Sequence, residues 1–174
     1  LKVLENNSYE KELLIDDDYR SKNNKNFERF LFPIDQYTNF KFNKFFREIT
    51  KNKTKTKKIL DIKGRKLEID NFYDSVIKFD FNELCDRNLG SEDYISITDS
   101  CDFLFIKNLP NFTENNSNQQ HRFITLIDII YEKKIPLMIT SSQSLDGINS
   151  SKSLREPFKR TISRLYELTS INYN

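Results

Sequence analysis

Short apolar runs alternate with polar stretches along the chain, and their spacing predicts both strands and helices. Glu12-Leu13-Leu14-Ile15, ended by Asp16, Asp17 and Asp18, reads as a strand leaving a core, and residues 23–26 read as a polar linker. After Pro33, the apolar positions Phe42, Phe45, Phe46 and Ile49 recur at helical spacing and predict an amphipathic helix over 37–49. Ile59 to Ile62 and Arg65 to Ile69 flank Lys63-Gly64, a hairpin signal. Ile77, Phe79 and Phe81 then alternate and give a third strand, so a small antiparallel unit is expected.

From Asn82 the pattern turns helical. Asn82 is placed to cap a short helix through Glu83, Leu84 and Cys85 with Gly90 as its stop, and Ser91 to cap the next helix. Phe103-Leu104-Phe105-Ile106 is apolar throughout and predicts a buried strand closed by Pro110, followed by a polar loop over 111–120. Phe123, Ile127, Ile130 and Tyr131 form the stripe of the most strongly patterned helix, and Leu137 to Thr140 is a second buried strand. Strand, helix, strand, with both strands apolar on both faces, predicts a crossover onto a parallel sheet. Residues 141–153 read as a flexible Ser/Gly-rich loop. A last helix starts near Pro157 and carries Phe158, Ile162, Leu165 and Leu168. The fold class is α/β. Residues 1–174 read as a single region with flexible loops at 51–58 and 141–153.

Composition narrows this picture. A chain of 174 residues, 37% apolar and 31% charged, is large enough to bury a core and carries a heavily charged surface. No stretch approaches the roughly 20 apolar residues that cross a bilayer. The chain opens at Leu1 instead of Met, which leads us to expect a fragment or a processed product. With 28 basic and 26 acidic residues the net charge is +2, so no broad basic face for nucleic acid is expected. The one basic run, Lys51, Lys53, Lys55, Lys57 and Lys58, reads as a solvated loop ahead of a phosphate-binding patch. Cys85 and Cys101 match no zinc spacing, and they read as packing residues of a reducing cytoplasm ahead of a nucleophile paired with His121.

Candidate chemistry is sparse. A phosphate-cradling loop requires G-x-x-x-x-G-K-S/T, and none of the three glycines, Gly64, Gly90 and Gly147, stands in that context. Asp16, Asp17 and Asp18 could hold a metal, although a solvated strand end is the plainer reading, and no metal site is assigned. Asp128, between Ile127 and Ile129, reads as a helix-cap or sheet-edge contact. Arg160 and Arg164 are four apart and share a helix face, so they can clamp a polyphosphate or a partner's carboxylates. Surface ion pairs, Glu156 with Arg160 and Glu167 with Arg164, explain the same spacing.

Several of these segments resemble one family. Phe81 to Cys85, Leu89-Gly90 and Asp93-Tyr94 are similar to the F-x-x-L-C-x-x-x-L-G-x-x-D-Y signature of the ZapE and AFG-like ATPases. Arg122 to Asp128 with Tyr131 resembles that family's R-F-I-x-L-I-D-x-L-Y helix, and Phe158 to Leu165 its closing F-E-R-T-x-S-R-L segment. Asp18-Tyr19-Arg20 and Gly64-Arg65 fall in family order upstream. The resemblance implies the C-terminal portion of a P-loop ATPase of the AAA+ kind: part of a P-loop NTPase-like parallel sheet flanked by helices, with a small hairpin unit. It further implies ATP and Mg2+ in the full-length protein, with none bound by this portion alone, and a phosphate-sensing or interface role for Arg160 and Arg164. Implied partners are the missing N-terminal P-loop half, division-ring proteins and a homo-oligomer, in the cytoplasm at the division site or in mitochondria for a eukaryotic relative. A non-enzymatic interaction module of the same fold is the alternative. Lys159, Leu168 and Lys107-Asn108 depart from the family pattern, the last arguing against a metal or catalytic role at that strand end.

Overall fold

A computed structural model of the chain describes residues 29–171. The expected strand at Glu12 to Ile15, the linker at 23–26, the Asp16–Asp18 run and the Asp18-Tyr19-Arg20 block lie outside the described residues. The elements are β1 (Phe30–Leu31), α1 (Gln36–Thr50), β2 (Lys55–Ile62), β3 (Arg65–Tyr73), β4 (Val76–Asp80), α2 (Phe81–Cys85), α3 (Ser91–Asp99), β5 (Phe103–Leu109), α4 (Ser117–Glu132), β6 (Leu137–Ser141) and α5 (Arg155–Leu168). Single 3-10 turns at Glu114–Asn116 and Lys152–Leu154 lead into α4 and α5.

The strands form one sheet in the order β1-β6-β5-β4-β3-β2. β1, β6, β5 and β4 run parallel, while β3 and β2 are antiparallel to their neighbours. The expected hairpin unit is therefore no separate body. β4 bonds to β3 on one side and to β5 on the other, which joins the hairpin to the parallel sheet. This mixed α/β arrangement, a six-stranded sheet flanked by helices, is compatible with a P-loop-like domain.

Alternation divides the sheet into two apolar faces. On one, Val76, Phe105 and Met138 meet Phe42 and Phe46 of α1. The Phe105 ring stands edge-on to Phe42 and Phe46 at 5.4 and 5.0 Å, the geometry that aromatic quadrupoles favour. On the other face, Ile77, Phe79, Leu104, Ile106, Leu137 and Ile139 pack under the helices that follow, with Leu84, Tyr94, Phe123, Ile127 and Leu165 among the facing residues. Buried apolar side chains on both faces are why β5 and β6 read as continuous apolar runs.

Local signals explain the element ends, and several differ from expectation. Asp35 caps α1: its Oδ1 accepts from the Thr38 N–H at 2.8 Å, and Thr38 Oγ1 accepts from the Asp35 N–H at 3.0 Å. The hairpin turn puts Lys63 at φ 53° and Gly64 at φ 80°, a pair of left-handed residues that a two-residue turn of this hand requires. Asp80, not Asn82, caps α2, because Asp80 ends β4 in extended backbone and its Oδ1 accepts from the Asn82 N–H at 3.1 Å. Gly90 is the N-cap of α3 instead of a stop, and Ser91 is the first helical residue. The loop expected at 51–58 is shorter, since β2 begins at Lys55. Lys57 is a strand residue whose Nζ lies 2.6 Å from Glu68. The loop expected over 111–120 ends early, with α4 starting at Ser117. The segment 141–153 is irregular from 142 to 151 but is anchored by buried Leu145, Ile148 and Ser151. Among the described residues no helix is long and apolar enough to cross a membrane.

Candidate functional site

The residues shared by the expected signature blocks divide into those that hold the fold and those that face outward. Asp93 is buried. It accepts from the Gly90 N–H at 2.8 Å, closing the first turn of α3, and pairs with Arg65 of the hairpin. Tyr94 is fully buried and its hydroxyl donates to the Leu84 carbonyl at 2.7 Å, while Arg122 donates to the Cys85 carbonyl at 3.0 Å. These contacts tie α2 to α3 and α4. Their chemistry is used up internally.

The exposed exception lies where α4 and α5 meet. Both elements bury apolar stripes in one cluster, which brings Asp128 of α4 beside Arg160 and Arg164 of α5. Asp128 Oδ2 accepts from Arg160 Nη2 at 3.0 Å, and its Oδ1 accepts from Arg164 Nη1, so each carboxylate oxygen takes one guanidinium. Arg164 also lies over the Tyr131 ring, 4.6 Å from its centroid, a cation–π contact. Tyr131 donates its hydroxyl to Glu167 Oε2 at 2.8 Å. That hydrogen bond, and the charge of Glu167, hold the Tyr131 hydroxyl above the ordinary phenol range.

The two arginines differ in what they can still do. The Arg164 side chain is 21% exposed and is held by both a carboxylate and an aromatic face, whereas Arg160 is 57% exposed and is held at one nitrogen. A guanidinium carries five N–H donors, and the Asp128 contact of Arg160 engages one terminal nitrogen, Nη2. Two guanidinium groups share the Asp128 carboxylate, and Arg160 is the more exposed of the two.

This corrects two expectations from the sequence. Glu156 does not pair with Arg160 but with Lys159, at 2.8 Å, and Glu167 takes the Tyr131 hydroxyl instead of Arg164. Asp128 is neither a helix cap nor a sheet-edge contact; it sits inside α4 and bridges to α5. Spacing along a single helix carries no information about a residue on another helix, which is why the bridge was missed. One signal was available: Asp128 and Tyr131 are three apart, and Arg160 and Arg164 four apart, so each pair occupies one helix face.

The remaining candidates are inert. Both cysteines are free and buried. Burial pushes the Cys85 thiol far up and that of Cys101 up to about 12, so neither is a thiolate at neutral pH, and His121 is exposed. Among the described residues no three His, Cys, Asp or Glu side chains form a group able to hold a metal ion. At the end of β5, Lys107 stands over Phe42, 5.9 Å from the ring centroid. Asn108 donates its backbone N–H to Thr140 Oγ1 at 2.9 Å and its side chain to Asp80 at 2.6 Å. Gly64, Gly90 and Gly147 occupy a hairpin turn, a helix cap and a loop, so the residues present do not fit a phosphate-binding loop for ATP and Mg2+.

Comparison with known proteins completes the description. The profile of the AFG1-like ATPase family matches residues 13–174. The chain is 25% identical over 156 residues to the cell division protein ZapE of Escherichia coli strain K12, an alignment that covers 90% of this chain and 42% of that protein. It is 29% identical over 108 residues to lactation elevated protein 1 homolog B of Danio rerio, covering 61% of this chain and 22% of that one. The chain thus spans less than half the length of these curated relatives. No solved structure matches it.

Proposed function

The chain belongs to the AFG1-like ATPase family, and from that premise we propose that it forms the C-terminal part of an ATP-hydrolysing protein of the AAA+ kind. In this reading ATP and Mg2+ are held by a P-loop half outside the present sequence, and this part alone does not turn ATP over. The setting proposed is the cytoplasm at the division site, with division-ring proteins as partners, a reading supported by the name of the bacterial relative.

The observation that carries the proposal is the fork at Asp128. It joins two segments that resemble family blocks and holds the Arg160 guanidinium at one terminal nitrogen while the side chain stays more than half exposed. Asp128 positions the pair and Arg164, stacked on Tyr131, stiffens it. Arg160 is the group offered to an anion. A guanidinium placed against a phosphoryl group in transfer stabilises the charge that spreads over its oxygens.

Steady-state ATP hydrolysis by the complete protein tests this. Arg160→Ala is expected to lower kcat by about a hundredfold or more while KM changes little. Arg164→Ala should fall in the same direction through loss of positioning. Wild-type rates in both variants would reduce the fork to a structural ion pair and leave a non-enzymatic interaction module as the better reading.

A further inference from the structure

The lysines that follow α1, and those of β4 and β5, play no part in the Asp128 fork, which lies across the sheet from them. The fold brings them to the side that α1 covers. α1 turns Phe42 and Phe46 inward, and Lys44, Arg47 and Lys51 follow one another at steps of three and four on the opposite side of the helix, all exposed. Lys53 lies in the turn from α1 to β2, and Lys55 opens β2. Lys55 is in register with Tyr73, whose ring meets Phe46 edge-on, so its side chain leaves the sheet on the α1 face. Lys78 of β4 and Lys107 of β5 reach the same surface, their ammonium groups lying 4.3 and 5.9 Å from the centroids of the Phe46 and Phe42 rings.

None of these seven cations has a carboxylate within ion-pair distance among the described residues. Elsewhere Lys63, Arg65, Lys133 and Lys159 each have one. Lys78 is half-buried. Burial lowers its pKa, and the charges of Lys107 and Lys55 lower it further, so it sits close enough to two other ammonium groups to be repelled by both.

The carboxylates on this side do not restore the balance. Glu48 lies on α1, Asp74 accepts from the Thr54 N–H at 3.3 Å, and Asp80 is in register with Lys107. On the hairpin Lys57 faces both Glu68 and Asp70. Asp35 and Lys41 of the α1 segment, and Asp61 and Lys66 in register on the hairpin, add no net charge. With all these groups at full charge, seven unpaired cations meet three anions and the Lys57 group subtracts one charge more. An excess of three positive charges remains. The even charge balance of the whole chain conceals this face because the excess is local.

The surroundings favour one kind of polyanion. Binding to a membrane surface joins charge to the insertion of apolar side chains. Here the apolar side of α1 is spent on the sheet, and the exposed Ile34 and Ile59 stand singly, before α1 and on the hairpin. A nucleic-acid backbone needs only spaced cations that each meet a phosphate. We propose that the α1 face binds a nucleic-acid strand through its phosphates, with Lys44, Arg47 and Lys51 along the helix and Lys55, Lys78 and Lys107 along the sheet. An ammonium is a point charge without the planar fork that reads base edges, so the contact is independent of sequence. The inference stands whether or not the ATPase reading does.

Fluorescence anisotropy of the intact 174-residue chain with a labelled oligothymidylate, and with a duplex of mixed sequence beside it, tests this. Saturable binding is expected, weakening about tenfold between roughly 50 and 150 mM salt. The tighter of the two oligonucleotides identifies the form bound. Lys44→Gln/Arg47→Gln/Lys51→Gln changes exposed side chains only. It should weaken binding about tenfold and flatten the salt dependence at an unchanged melting temperature. Lys55→Gln/Lys78→Gln/Lys107→Gln should act in the same direction. Lys152→Gln/Arg155→Gln/Lys159→Gln removes as much charge from the other side of the sheet and should change affinity less than about twofold. Absence of saturable binding to either oligonucleotide, an equal loss in that last variant, or an affinity that ignores salt would overturn the proposal. So would binding to phosphatidylglycerol vesicles alone, which would assign the face to a lipid surface.

Discussion

Arg160 and Arg164 grip the same carboxylate, yet their surroundings assign them different energies. Arg164 adds a stacking contact on Tyr131 and is mostly shielded, so Arg164→Ala should cost about 1–2 kcal/mol of stability. Arg160 is more than half exposed, and solvent screening should hold Arg160→Ala within about 0.5 kcal/mol. Urea denaturation midpoints of the two variants check this, and equal losses would contradict the asymmetry. The cysteines supply a second residue-scale expectation. Burial raises both thiols, Cys101 to about 12, while an unfolded thiol ionises near about 8.5. The folded chain then holds protons that the unfolded chain releases. Stability is full below about pH 8.5 and declines as pH rises toward 12, by up to roughly 1.4 kcal/mol per pH unit for each thiol. The urea midpoint should fall between pH 8 and 10, and Cys101→Ala should flatten that fall; a midpoint independent of pH would contradict the burial. That these thiols pack instead of reacting follows from the general tendency of cysteines to be buried, not from their neighbours, since Cys101 stands between Ser100 and Asp102. The role of Asp128 was not legible in the sequence, because its partners lie 32 and 36 positions away.

Elements were easier to read than their ends. The helical stripe of α1 and the apolar runs of β5 and β6 follow from period alone, and all three occur. Caps depend on backbone shape, which the sequence does not show: Asp80 and Asn82 are both competent, and Asp80 wins because β4 leaves it extended. The first turn of α4 was read as loop because Ser117 to Gln120 carries no apolar residue, and Gln120 is buried through hydrogen bonds to Ser150 and Ser151. The docking of α1 gives the test at this scale. Phe105 lies within 6.0 Å of the Phe42, Phe45, Phe46 and Phe103 rings. Phe105→Ala should leave a cavity that this cluster cannot refill and cost about 3–5 kcal/mol, read from chemical denaturation. A loss below about 1 kcal/mol would mean that α1 barely depends on the sheet.

At the scale of the whole molecule, the α/β class was visible because strands buried on both faces require helices on both faces. The continuity of the hairpin with the parallel sheet was not visible, since β4 pairs in both senses and no local pattern announces which neighbour a strand takes. Above these details stands one proposal: the chain supplies positioned arginines to a reaction whose phosphate-binding loop lies elsewhere in the protein. Its most direct test is ATP turnover by the purified 174-residue chain beside that of the complete protein, under identical Mg2+ and nucleotide concentrations. The account predicts steady hydrolysis by the complete protein and background rates for the chain alone. Turnover by the isolated chain at the rate of the complete protein, or none by either, would contradict it.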